Sequence, residues 1–210
     1  MTSIINALEW RYATKVFDKS RKLNSQQLAD LKRVIQLSAS SYGLQPYKII
    51  IISNQELKDK LKPVSYAQAQ ITDASHLFLF CAMEEFNADD VSQFVDLNVE
   101  ITSIPKENLK TFHEMMNLKI ESMNGSENLM WATRQAYIAL GNLLTAVANM
   151  GIDTCPIEGF VPSQYSEILG LEKLKLKPLV VAAIGFRAES DKYQNVPKVR
   201  KKEKDLFIEL

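Results

Sequence analysis

The sequence contains few of the residues that build several common functional sites. Its 210 residues include two cysteines and two histidines. The cysteines, Cys81 and Cys155, both lie in apolar stretches, which is typical of buried free thiols in a reducing compartment and not of a disulfide framework. No HExxH motif, CxxC motif or paired Cys/His spacing occurs, so no metal site is predicted.

Motifs that depend on glycine are also missing. The chain has seven glycines and contains neither a G-x-S-x-G elbow nor a G-x-G-x-x-G turn. The first absence removes the commonest hydrolase signal, and the second removes a Rossmann dinucleotide site. A phosphate site in this chain must therefore use side-chain cations instead of a glycine-rich backbone cradle.

Neither sign of charge is in excess. Lys+Arg and Asp+Glu both number 25, which argues against a dedicated nucleic-acid-binding protein. No apolar run approaches the roughly 18–20 residues that span a membrane. Residues 1–6 lack the basic region and apolar run of a secretory signal. We therefore expect a cytoplasmic protein with no nucleic-acid or membrane partner.

The composition and element pattern predict one α+β domain over residues 1–210, with the charged residues 187–210 as a C-terminal arm. Apolar residues make up 46% of the chain, enough for a sizeable core. Apolar, partly β-branched runs predict strands at 47–52, 76–83 and 179–186. Helical periodicity predicts helices at 3–12, from Asn24 onward, and at 55–61, 87–103, 106–123, 128–150 and 163–169.

The predicted helix at 128–150 is the most apolar element. In its second half apolar residues occupy most of the circumference, which indicates burial on more than one side. Asn124-Gly125 breaks the chain before it, and Gly151 is placed to end it as a left-handed cap.

Two pairs of cations are candidates for an anion site. Arg11 and Lys15 share one face if the first helix continues, or flank an anion-binding loop if the chain becomes extended at Thr14. Lys198 and Arg200 open a charge-rich stretch that is also compatible with a solvated tail or a nucleic-acid patch. Arginine binds phosphate through two parallel hydrogen bonds and lysine as a point charge, so both types suit a phosphate monoester.

Two polar turns are further candidates. In Cys155-Pro156-Ile157-Glu158-Gly159, a Glu-Gly pair in an apolar stretch indicates either a close backbone approach to a ligand or a simple helix-to-helix connection. The segment 40–46 precedes a predicted strand and offers small hydroxyl side chains to a ligand edge.

Together these segments resemble the FMN-dependent nitroreductase family, in particular its oxygen-insensitive NAD(P)H nitroreductases. The segments that carry the resemblance are Arg11-Tyr12-Ala13-Thr14-Lys15, Ser40-Ser41 with Gln45-Pro46, Pro156-Ile157-Glu158-Gly159-Phe160 and Pro197-Lys198-Val199-Arg200. The resemblance extends over nearly the whole chain. It implies a nitroreductase-like fold with a central, mostly antiparallel sheet flanked by helices, in a domain-spanning homodimer with FMN at the subunit interface.

The resemblance also implies roles for individual residues. Arg11, Lys198 and Arg200 are expected at the FMN phosphate, Lys15 at the pyrimidine edge of the flavin, and Ser40 and Ser41 are expected from the partner subunit. The full set implied around FMN is Arg11, Tyr12, Ala13, Lys15, Ser40, Ser41, Gln45, Gln68, Gln70, Pro156, Ile157, Glu158, Gly159, Lys198 and Arg200. The sequence departs from the family pattern at Ala13, Gly43, Ala67 and Gln70.

The implied activity is an NAD(P)H-dependent reduction of nitroaromatics, quinones or related small acceptors by ping-pong hydride transfer through FMN. The flavin carries the chemistry, so no catalytic side chain is predicted. Candidates to line the acceptor face are Tyr42, Tyr66, Phe112, Met115 and Met116. The alternatives are a flavin or dihydropteridine reductase or a dehalogenase-like enzyme on the same scaffold, and a non-enzymatic flavin- or nucleic-acid-binding protein.

Overall fold

A four-stranded antiparallel sheet is the centre of the structure, a computed structural model that describes residues 3–210. The strands are β1 (Tyr47–Ile52), β2 (His76–Met83), β3 (Asp153–Ile157) and β4 (Leu176–Gly185). They lie in the order β1-β2-β4-β3, and each neighbouring pair is antiparallel. The predicted α+β class with a mostly antiparallel sheet is therefore confirmed.

Helices cover both faces of this sheet. The helices of the fold are α1 (Ile4–Trp10), α2 (Ser25–Gln36), α3 (Gln55–Leu61), α4 (Ala69–Asp73), α5 (Ala88–Thr102), α6 (Lys110–Glu121), α7 (Gly125–Asn149), α8 (Pro162–Leu169) and α9 (Glu203–Leu206). Between residues 3 and 210, none of them combines the length and apolarity that crossing a membrane requires.

Alternation along the strands directs apolar side chains to two separate cores. In β2, Leu77 and Leu79 pack on the face covered by α3, α4 and α8, whereas Phe78 and Phe80 pack on the face covered by α2 and α7. All four side chains are fully buried. The sheet is thus covered on both sides, as the continuous apolar runs of β1 and β2 indicate.

Helix α7 joins the second core to a third one. Its Leu143 packs against the sheet, and its Trp131 packs with α5 and α6. The prediction that this helix is buried on more than one side is confirmed. It still exposes Met130 by 54% and Ile138 by 48% to solvent.

Several predicted boundaries match the structure and others do not. The predictions at 47–52, 55–61 and 76–83 are confirmed to the residue. Helix α7 begins three residues earlier than predicted, because the side chain of Asn124 caps it by accepting hydrogen bonds from the N–H groups of Ser126 and Glu127. Gly151 has the expected left-handed conformation, with φ of +67°.

Strand β3 was not predicted, because Pro156 interrupts the pattern of a strand. Proline cannot donate to a neighbouring strand, so it is tolerated at the edge of a sheet. Here β3 is the last of the four strands in the order, and Pro156 lies opposite Ala182 of β4. The alternative of a simple helix-to-helix connection over 155–159 is therefore wrong.

Lys58 of α3 is a charged residue inside the fold. It is 1% exposed, and its Nζ donates to the carbonyls of Thr72 at 3.2 Å and Ala74 at 2.8 Å. Burial, and then the nearby Lys22, lower its pKa to about 8, while Asp59 and Asp73 oppose the shift. The ordinary lysine pKa is about 10.4, so between these values the unfolded chain binds more protons than the folded chain.

We therefore expect Lys58 to make the protein more stable as the pH rises from about 8 to about 10.4. Denaturant unfolding of wild type and Lys58→Met at several pH values measures the effect. The difference in unfolding free energy should grow by on the order of 2 kcal/mol across this window. Lys60→Met, on the exposed side of the same helix, is the control. A constant difference for Lys58→Met would contradict the expectation.

Candidate functional site

The N-terminal cations lie on an extended segment beside β3. Helix α1 ends at Trp10, and Arg11 is already in an extended conformation. Ala13 forms a parallel bridge with Thr154, and the N–H of Thr14 donates to the carbonyl of Thr154 at 3.2 Å. The helix predicted over 3–12 is thus shorter, and of the two interpretations of Arg11 and Lys15 the extended loop is correct.

The buried carboxylate of Asp191 ties the C-terminal arm to this segment. It accepts hydrogen bonds from the backbone N–H groups of Lys15 at 2.8 Å, Val16 at 3.0 Å and Tyr193 at 3.0 Å. Burial alone would raise the pKa of Asp191, but these hydrogen bonds outweigh it and lower the pKa below its ordinary value. The carboxylate therefore stays ionised, and the arm returns across the extended segment.

An ion pair lies next to the extended segment. Arg187, two residues after the end of β4, places a guanidinium nitrogen 2.6 Å from the carboxylate of Asp153. This carboxylate also accepts the backbone N–H of Arg187 at 2.9 Å. The guanidinium stacks on Trp10 at 3.9 Å and on Tyr12 at 4.6 Å from the ring centres. The Tyr12 hydroxyl lies beside Asp191, and burial together with this carboxylate raises its pKa.

Between the extended segment and the arm lies a cavity of about 300 Å³. The cations predicted from the two ends of the sequence meet there. Its lining residues are Arg11, Tyr12, Ala13, Lys15, Tyr193, Val196, Pro197, Lys198 and Arg200. Lys198 also donates to the carbonyl of Glu9, which holds the arm against the end of α1.

The electrostatics of this cavity favour an anion. Partial burial, and then the charge of Arg200, lower the pKa of Arg11, and burial followed by Arg11 and Arg200 lowers the pKa of Lys198. The buried Nε of Arg11 has no hydrogen-bond partner among residues 3–210. A phosphate group would supply both the negative charge and an acceptor that these donors lack.

The turn after β3 is held from two sides. The side-chain amide of Gln68 donates to the carbonyl of Gly159 at 2.8 Å, and the hydroxyl of Tyr137 donates to the carboxylate of Glu158 at 2.5 Å. A Cβ at Gly159 would lie 3.3 Å from the Gln68 nitrogen, so a larger residue there would require the Gln68 side chain to shift by a few tenths of an ångström. Gln68, expected beside the flavin, uses its amide to position this turn.

Three more of the predicted residues lie along β3 and α4. Pro156 is half-buried and Ile157 is buried in the first core. Gln70 is 8% exposed and lies beside the thiol of Cys155. Burial raises the pKa of that thiol, although Lys15 and Arg11 act in the opposite direction, and this favours the protonated, less nucleophilic form.

Within one chain, the 40–46 segment does not line the cation cavity. The N–H of Ser41 donates to the side chain of Gln135 on α7 at 2.8 Å, and the hydroxyl of Ser40 accepts the N–H of Gln45 at 3.1 Å. The Gln45 amide donates to Tyr47 and to the backbone at Gln36, so this side chain is engaged within its own chain.

The predicted acceptor-face residues lie in three places. Tyr42 and Phe112 meet edge to face with ring centres 6.2 Å apart. Tyr66 is 70% exposed and lies beside Gly159. Met115 is 44% exposed, but Met116 is fully buried in the third core and is a packing residue, so we leave it out of the candidate site.

Sequence reasoning missed the residues that position the site. Asp153, Asp191 and Arg187 each hold a neighbouring residue in position. In the sequence they look like ordinary surface charges. A usable signal existed only for Asp153, because a charged residue between Ile152 and Thr154 in an apolar stretch calls for a buried partner.

Comparisons with known proteins show which family the chain resembles. The model of the nitroreductase family matches residues 8–186. The chain is 36% identical over 216 residues to a Staphylococcus haemolyticus protein provisionally named an NAD(P)H nitroreductase, and the alignment covers 98% of this chain and 96% of that protein. The major NAD(P)H-flavin oxidoreductase of Aliivibrio fischeri is 32% identical over 211 residues, with 97% of both chains covered.

A solved structure shows the same fold. The crystal structure of an Exiguobacterium sibiricum protein, provisionally named a nitroreductase and bound to FMN, aligns with a TM-score of 0.85 at 22% identity. The alignment covers 100% of this chain and 98% of that one. The predicted nitroreductase-like fold is confirmed, and on the family model and the relatives together the chain belongs to the nitroreductase family.

Proposed function

We propose that this chain is an FMN-dependent NAD(P)H oxidoreductase that reduces nitroaromatics, quinones or related small acceptors. The observation that carries the proposal is the meeting of Arg11, Lys15, Lys198 and Arg200 around one cavity, with a buried Arg11 nitrogen that lacks an acceptor. A phosphate monoester satisfies both features. The relatives' names, which specify NAD(P)H and flavin, support the redox assignment.

The residues present fit FMN. Arg11, Lys198 and Arg200 would hold its phosphate, and Lys15 would lie at its pyrimidine edge. Pro156 and Ile157 would cover one ring face, and the backbone at Glu158 and Gly159 would approach the reactive edge. Bound FMN would supply the ping-pong hydride chemistry between NAD(P)H and the acceptor, which would need no acid or base from the protein.

A homodimer completes the site in this proposal, with each single-domain chain of residues 1–210 contributing to both sites. Ser40 and Ser41 do not line the cation cavity of their own chain, so they serve the site of the partner subunit. Exposed apolar side chains support such an interface on the face opposite α8. They are Ile4, Ile5 and Leu8 of α1, Leu37, and Met130 and Ile138 of α7.

Flat aromatic surfaces suit the acceptor side. Tyr42, Phe112 and Tyr66 offer rings to planar molecules, and Tyr42 and Tyr66 have φ angles of +55° and +52°. Left-handed conformations are costly for aromatic residues and occur mostly where a site depends on them. In this proposal Tyr66 contacts a nitroaromatic or quinone acceptor beside Gly159.

Free flavin is a second candidate acceptor. The Aliivibrio fischeri relative, named an NAD(P)H-flavin oxidoreductase, is 32% identical to this chain. Turnover of nitrobenzoate, menadione, FMN and riboflavin with NADH and with NADPH distinguishes the two functions. The proposed function requires the highest kcat/KM for the nitroaromatic or the quinone.

The first expectation concerns the phosphate. A hydrogen bond to a charged group contributes about 1.5–3 kcal/mol, so Arg200→Ala should weaken FMN binding about ten- to a hundredfold. Riboflavin, which has no phosphate, should bind wild type weakly and be nearly unaffected by the substitution. Fluorescence titration measures both, with Lys201→Ala as the control for net charge. Equal losses for FMN and riboflavin would remove Arg200 from the phosphate site.

The second expectation concerns Lys15. Reduced flavin carries more negative charge at the pyrimidine edge than oxidised flavin, so a lysine there stabilises the reduced form more. Lys15→Met keeps most of the apolar stem and removes the charge. It should lower the midpoint potential of saturated FMN by at least about 30 mV, which corresponds to about 1.4 kcal/mol. Lys22→Met is the control, and an unchanged potential in Lys15→Met would place Lys15 elsewhere.

The third expectation concerns the dimer. Ile138→Glu would bury an unpaired carboxylate in the interface, so it should yield folded monomers that bind FMN poorly in sedimentation and titration experiments. Leu174→Glu, at a site that is 60% exposed and on the opposite face of the sheet, should remain dimeric. Leu143 is unsuitable for this test because it is fully buried in the core of its own chain. An FMN-loaded Ile138→Glu dimer would refute this interface.

A further inference from the structure

The turn at Glu158 and Gly159 receives two side-chain hydrogen bonds of different kinds. Gln68, which precedes α4, donates to a backbone oxygen of Gly159. Tyr137 of α7 donates to the Glu158 carboxylate, the only polar group on that side chain. The first bond fixes the path of the chain. The second fixes where the negative charge lies, although Glu158 is otherwise exposed to solvent.

The hydrogen bond from the Tyr137 hydroxyl to Glu158 belongs to the class with a carboxylate acceptor, which is stronger than the class between neutral groups. The two oxygens are 2.5 Å apart, and the acceptor is a carboxylate. Burial, and then the hydrogen bond and charge of Glu158, raise the pKa of Tyr137 to about 12. The hydroxyl therefore keeps its proton and remains a donor throughout the physiological pH range.

The position of Glu158 relative to the cations follows from β3. The extended segment contacts this strand at Thr154, and Glu158 follows four residues later. A strand advances about 3.3 Å per residue, so the carboxyl-bearing residue lies about 13 Å further along the strand. A ligand whose phosphate is held by the cations and whose ring lies along β3 thus brings the ring to Glu158.

We propose that Tyr137 is a positioning residue that fixes the Glu158 carboxylate and, through it, the reduction potential of the bound flavin. This inference rests on the proposed function. A carboxylate close to the ring opposes the negative charge that reduction adds. The Tyr137 hydroxyl directs the carboxylate towards α7 and neutralises part of its charge. Without the hydroxyl, the carboxylate turns freely and makes the reduced state less favourable.

The test is a double-mutant cycle on the flavin midpoint potential. In the FMN-loaded protein, Tyr137→Phe should weaken binding of reduced FMN relative to oxidised FMN about tenfold, which lowers the potential by about 30 mV. In a Glu158→Gln background, the same substitution should leave the potential unchanged, because the charge is gone. Thr145→Val removes another α7 hydroxyl, one that donates to the carbonyl of Gly141 within the same helix, and should have no effect in either background.

Two outcomes would overturn this role. An unchanged potential in Tyr137→Phe would show that the hydroxyl does not act on the flavin. An equal shift in the Glu158→Gln background would show that Tyr137 does not act through the carboxylate.

Hydrogen exchange without FMN separates this inference from the proposed function. The N–H of Phe160 donates to the Glu158 carbonyl at 2.9 Å within the turn. The amides of Gly159 and Phe160 should exchange at least about fivefold faster in Tyr137→Phe than in wild type or Thr145→Val. Unchanged exchange would refute the positioning role. A wild-type chain that binds no FMN would refute the proposed function, and the exchange rates would then still decide whether Tyr137 holds the turn.

Discussion

The candidate site depends on a single buried carboxylate, that of Asp191. It binds two successive N–H groups of the extended segment and one of the arm, so it joins the two ends of the chain that carry the cations. Because these hydrogen bonds fix the main chain at Lys15 and Val16, the backbone that carries the Lys15 side chain is held in place. The cations themselves repel one another, so they would not bring these ends together without such an anchor.

Next to Asp191, a second buried carboxylate is paired with an arginine that stacks on aromatic rings. Asp153 at the start of β3 binds Arg187, and Arg187 stacks on Trp10 and Tyr12. The buried Asp153 carboxylate is thus paired with Arg187, which limits the cost of desolvation. At the cavity, by contrast, burial and then the charge of Arg200 lower the pKa of Arg11, and burial followed by Arg11 and Arg200 lowers the pKa of Lys198. The positive charges of this region therefore repel one another at the cavity.

The sequence was informative where local patterns decide the structure. Strands β1 and β2 follow from apolar runs bounded by polar residues, and helix α3 and the start of α2 after Asn24 follow from helical periodicity. The cations at both ends were found by composition and resemblance. Three features depend on tertiary context instead: Pro156 inside an edge strand, the amide of Gln68 on Gly159, and Asp191 beneath the extended segment. No local pattern distinguishes these residues from ordinary loop positions.

A site built from side-chain cations has a consequence that a glycine cradle would not have. The glycine cradle is part of one loop, whereas here Arg11 and the Lys198–Arg200 pair come from opposite ends of the chain. If these cations hold the FMN phosphate as proposed, the bound phosphate stabilises the closed arm by neutralising their repulsion, and by linkage the closed arm strengthens phosphate binding to the same extent. Binding of the cofactor and closure of the arm are therefore coupled in a single equilibrium. Asp191 biases it towards closure before any ligand binds, because its hydrogen bonds are made within the protein alone.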